Sequence, residues 1–177
     1  MKLNELIIKI FKMKIEHLSK RISDYKKSIE TVVDKKSKWN AQTKPLLLKT
    51  LRAIATKYNI GWEVQELNWI YTGDAVNISF KTFPEELIDC TNRIPAFQFI
   101  PGGALIYSQT YSGDINIFVL FPEVNGVSMD NQMVELGTFN PLEITEKAII
   151  ENVEEFLKEM IQWEVPNKRA QVGFTPR

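Results

Sequence analysis

Apolar residues at Ile8, Phe11, Ile15, Leu18, Ile22, Tyr25, Ile29 and Val32 follow one another at alternating steps of three and four. That spacing predicts an amphipathic helix with a heptad-like seam. Lys36 interrupts the seam and Trp39 resumes its phase. A helix from about residue 3 to about residue 39 is about 55 Å long at 1.5 Å per residue. A compact domain of this chain's size is only about 40 Å across. The rod outreaches the body, so its apolar stripe needs a cover, and a second copy of the chain is the expected one.

Thr43 reads as an N-cap, with Pro45 in a first turn where its missing N–H costs nothing. Leu47, Leu51, Ile54 and Tyr58 form a second seam, and Asn59 and Gly61 stop it. Two helices joined by a short connection predict an antiparallel helical hairpin over residues 1–60.

From Trp62 the period changes to two. Val76, Ile78 and Phe80 alternate with Asn77, Ser79 and Lys81, and Thr72-Gly73-Asp74 reads as the turn of a hairpin whose first strand is Trp62 to Tyr71. Pro84 ends this pair; Arg93 to Pro101 allows a short edge strand only. Ala104 to Tyr111 and the apolar run Ile115 to Phe121 are further strands around Ser112-Gly113-Asp114. Asn125-Gly126 is a turn signal, and the polar stretch Val127 to Leu136 reads as loop. An antiparallel sheet of four or five strands over 61–137 follows. A helix over 138–165, capped near Thr145, carries the stripe Ile149, Val153, Phe156, Met160 and Trp163, with Glu146, Glu151, Glu154, Glu155 and Glu159 opposite. Residues 166–177 form a tail without pattern. The chain is thus expected to be a single α+β domain.

Charge adds one fact. Net charge is zero, but residues 1–57 hold 15 basic and 5 acidic side chains while 58–177 hold 7 and 17. Such a split marks either a nucleic-acid surface or complementary faces that meet. The second is favoured, because a neutral chain attracts a polyanion only where its basic face stands clear of its acidic one. A single cysteine, Cys90, forbids an intramolecular disulfide and suits a reducing compartment. No stretch reaches the roughly 18 apolar residues of a membrane helix, so a cytoplasmic protein with no membrane partner is expected.

Reaction chemistry is sparse. One histidine, His17, and one cysteine are too few for a zinc site or for a nucleophile–base pair. Pro101-Gly102-Gly103 precedes a strand and not a helix, so it is no phosphate loop. No metal and no cofactor is expected. Asp74, Asp89, Asp114 and Glu123 lie at strand ends, where a carboxylate pair could serve a small hydrolase, but turn-forming Asp explains Asp74 and Asp114 more simply. Lys20, Arg21, Lys26 and Lys27 on the first helix are the residues a nucleic-acid-associated protein would use, although lysine dominance favours a solvated face. Aromatic strand residues leave both sheet faces partly apolar, and the second face needs a helix, a subunit or a ligand over it. The preferred function is a non-catalytic binding protein, homodimeric through the first helix. It is expected to engage a protein or small-molecule partner at Tyr71, Tyr107 and Tyr111, with Arg93 as an anion anchor.

Overall fold

In the computed structural model residues 2–69, 73–81, 102–122 and 132–164 are described, with side chains of the first helix at Ile15 and from Leu18 onward. Helix α1 (Lys2–Lys38) runs into a π-helical turn (Trp39–Thr43) and then α2 (Lys44–Lys57). Strands β1 (Trp62–Trp69), β2 (Gly73–Phe80), β3 (Ala104–Gln109), β4 (Ile115–Leu120) and β5 (Met133–Phe139) precede a 3-10 turn (Pro141–Glu143) and α3 (Glu146–Glu164). The α+β class and the antiparallel sheet agree with the sequence pattern.

The helical hairpin does not form. Lys38, Thr43 and Lys44 all keep right-handed helical dihedrals (φ −64, −69 and −60°), so the chain stays helical from Lys2 to Lys57. Over that span it is about 84 Å long. The physical reason lies at Pro45, whose ring would press on the carbonyl four residues back in a regular α-helix. The wider π turn relieves this, with the Lys44 N–H donating to the Trp39 carbonyl, five residues back. Thr43 therefore caps nothing. Its hydroxyl donates instead to the Pro141 carbonyl at 2.9 Å in a buried position, pinning the π turn to the entry of α3.

The five strands form a meander in the order β1-β2-β3-β4-β5, every neighbour antiparallel. One face carries Val76, Ile78, Leu105, Tyr107, Ile115, Ile117 and Val119, all fully buried. Trp39, Leu47 and Leu51 of the long helix pack there together with Ile149, Val153, Phe156 and Met160 of α3. The opposite face is also buried where Ala75, Ala104 and Ile106 cluster, with Leu67 and Phe118 half-buried beside them. Packing is close at Gly103 as well: a β-carbon there would require the end of the Met160 side chain to move aside. The segment read as loop, Val127 to Leu136, contributes Met133–Leu136 to β5, where half-buried Val134 and Leu136 alternate with exposed Met133 and Glu135 until a bulge at Gly137 breaks the pattern. α3 starts as expected, with the Thr145 hydroxyl accepting from the Ala148 N–H at 3.2 Å.

Trp39 is the largest fully buried side chain. Trp39→Ala should cost about 3–5 kcal/mol, and Thr43→Val about 1 kcal/mol through the lost buried hydrogen bond. Urea unfolding followed by circular dichroism measures both.

Candidate functional site

Helix α1 meets the body at its last two turns. Gly113, in the β3–β4 turn, has φ +84°, a conformation glycine alone adopts without strain. A β-carbon there would stand 2.8 Å from Lys35 Cβ and 3.2 Å from the Val32 carbonyl oxygen, so the turn lies flush against the helix backbone. Beside this contact Lys35 Nζ donates to Asp114 Oδ1 at 2.7 Å, and Lys36 Nζ lies 5.2 Å from the centre of the Tyr111 ring. The Ser112 hydroxyl donates to the other oxygen of Asp114 at 3.0 Å. The hydrogen bond from Lys35 holds the Asp114 carboxyl below its ordinary value; burial opposes it, and the Ser112 hydroxyl and the charge of Lys35 add to it.

Further along, Lys44 Nζ reaches Glu66 at 3.0 Å and Asp74 at 3.2 Å, while Arg52 approaches Glu66 at 3.9 Å. Partial burial pulls the Lys44 pKa down, but the two carboxylates outweigh it and leave the ammonium above its ordinary value. Basic helix and acidic sheet edge thus meet within one chain at these points, which accounts for part of the +10/−10 split. Asp74 and Asp114 are each occupied by a lysine, and the Asp114 carboxyl is held below its ordinary value, the opposite of what a general acid needs. The carboxylate-pair reading therefore gains nothing from them, and Asp89 and Glu123 lie outside the described residues. No group of three metal-ligating side chains occurs among the described residues.

Before Val32 the helix leaves the body. Every described side chain from Leu18 to Thr31 is exposed. Ile15, Leu18, Ile22, Tyr25 and Ile29 are 46–67% exposed, although all lie on the seam. Lys20, Arg21, Lys26 and Lys27 share this stretch, and none of the ion pairs among the described residues involves them. Five large apolar side chains thus stand exposed in one line, with basic side chains beside them.

The other predicted residues do not assemble. Tyr107 is fully buried in the main core, so it presents nothing to a partner. Burial pushes its phenol pKa up, with Asn152 pulling the other way. Tyr111 is 89% exposed at the tip of the β3–β4 turn, on the helix-docking contact. Tyr71 and Arg93 lie outside the described residues. Among the described residues both faces of the sheet are buried at their centre, and no aromatic sheet surface is exposed around Tyr107. The sequence reading missed Gly113, because a Ser-Gly-Asp turn shows no sign that a helix rests on it. The described helices include none long and apolar enough to cross a membrane. Comparison with protein-family models, curated proteins and solved structures finds no match.

Gly113→Ala should destabilise the fold by about 1–3 kcal/mol through backbone strain and the clash with Lys35, seen as a lower urea midpoint. The Lys35–Asp114 pair is partly exposed and is worth about 0.5–1 kcal/mol. Because the folded pKa of Asp114 is depressed, that contribution is complete above the unfolded value of about 3.9 and vanishes as pH falls through the lower folded value. Asp114→Asn should therefore be less stable than the wild type at pH 7 and indistinguishable near pH 2. A difference that persists in acid contradicts the pairing.

Proposed function

We propose that the protein is a non-catalytic interaction protein that works as a homodimer, joined through the projecting half of α1. The observation that carries this reading is the seam from Ile15 to Ile29, half exposed on a helix that has already passed clear of its own body. Nothing else in the described chain offers comparable apolar surface in one line.

Magnitudes set the expected strength. Fully burying a large aliphatic or aromatic side chain is worth about 1.5–3 kcal/mol. Five half-exposed residues on each of two copies can then supply about 10 kcal/mol, against an association cost of about 4–15 kcal/mol. At the lower cost the surplus is about 6 kcal/mol, a dissociation constant of roughly tens of micromolar, so such a pair has little to spare. We place it in the cytoplasm, in keeping with a single cysteine, Cys90.

One observation favours a second reading, association with nucleic acid: the four cations Lys20, Arg21, Lys26 and Lys27 stand clear of the acidic body. It ranks lower because Asp24 and Glu30 occupy the same stretch and halve its charge. Filter retention of DNA or RNA at low salt, lost on replacing the four by glutamine, supports it; no retention removes it.

Light scattering coupled to size exclusion at about 10–100 μM should give the mass of two chains. Ile22→Asp should return the mass to one chain without changing the thermal midpoint of the monomer by more than about 2 °C, because Ile22 touches no core residue. A wild-type monomer throughout that range contradicts the reading.

A further inference from the structure

We propose that the projecting part of α1 is received by the outer face of α3 on the second copy, so that two chains embrace reciprocally; this rests on the homodimer reading above. The inference starts from what borders the seam. Arg21 adjoins Ile22 on one flank and Lys26 adjoins Tyr25 on the other, and no acidic residue occupies either border between Leu18 and Thr31. Two α1 seams laid together in parallel set Arg21 of one copy beside Lys26 of the other, a like-charge contact with no compensating pair. The seam is shaped for an apolar stripe edged with carboxylates.

Among the described residues, the outer face of α3 combines apolar and acidic side chains in this way. While Ile149, Val153, Phe156 and Met160 bury one face of α3, Ile150 and Ile161 project from it at 50% and 62% exposure, with half-buried Leu157 between them. Glu146 and Glu154 lie one turn to either side of Ile150, both exposed. Glu151 and Glu155 are held within the helix by Lys147 (3.5 Å) and Lys158 (2.8 Å), but none of the ion pairs among the described residues involves Glu146 or Glu154. Cations without an ion pair among the described residues thus border the α1 seam, and carboxylates stand in line with Ile150 along the outer face of α3, Glu154 also within the field of Lys158. Lengths also match: about 21 Å separates Ile15 from Ile29 along one axis, and about 17 Å separates Ile150 from Ile161 along the other. A two-fold axis relating the copies uses both contacts at once, doubling the buried area without leaving an open end.

The test uses the full chain with two double charge reversals, R21E/K26E in α1 and E146K/E154K in α3, all at exposed positions. Thermal unfolding confirms that each folds. Sedimentation equilibrium should show each reversal weakening the dimer by at least about tenfold. A chain carrying both reversals should recover the wild-type constant to within about threefold, and the wild-type dimer should weaken from about 0.1 M to about 1 M NaCl as the attraction is screened. A wild-type dimer indifferent to the α3 reversal, or strengthened by salt, overturns this docking and leaves the homodimer standing, as in direct seam-to-seam pairing. A wild-type monomer under all conditions removes both.

Discussion

A single helix is asked to serve two masters in this molecule. Over Val32 to Leu51 it belongs to the core: Gly113 and Asp114 clasp it, Trp39 plunges between sheet and α3, and Leu47 and Leu51 finish the layer. Hydrogen bonding makes a helix stiff, so whatever the body holds at one end determines where the other end points. Each preceding turn is carried outward with its apolar side uncovered. The fixed end thus creates the free end.

The π turn reconciles the two parts. An inserted residue advances the helix face by roughly 100°. The face that α2 turns to the sheet therefore need not continue the seam of α1. Leu47 and Leu51 are buried, while Ile22 and Ile29, on the same rod, are not. Pro45 explains why the widening sits where it does, and the bond from Thr43 to Pro141 explains why it is held there. Among the described residues, buried polar atoms on Trp39 and Gln109 have no hydrogen-bond partner and sit in this same packed layer. They are the polar cost of filling it with large amphipathic side chains.

Strong periodicity was readable. The seam of α1, the alternation of Val76, Ile78 and Phe80, and the stripe of α3 each recur at a spacing that only one element satisfies. Features set by tertiary contact were not. Thr43-Lys44-Pro45 has the composition of a helix start, and only the packing of Trp39 shows that the helix never stopped. Two partly apolar sheet faces gave no means of telling which would meet the helices, so Tyr107 was expected at a partner surface and lies in the core. β5 edges the sheet, and the bulge at Gly137 cuts short the alternation of Val134 and Leu136, so its pairing with β4 was hard to read from its own pattern. The docking contact at Gly113 joins residues roughly eighty positions apart, a relation no local pattern encodes.

If the projecting helix is completed by another copy, its stability must depend on concentration while that of the core does not. Hydrogen exchange of backbone amides reads both in one sample. Amides between Leu18 and Thr31 should be protected at about 100 μM and exchange at least tenfold faster near 1 μM, with those of Leu47, Leu51 and β3 unchanged. Equal exchange of the 18–31 amides at both concentrations would contradict the account, whether they were protected throughout or open throughout.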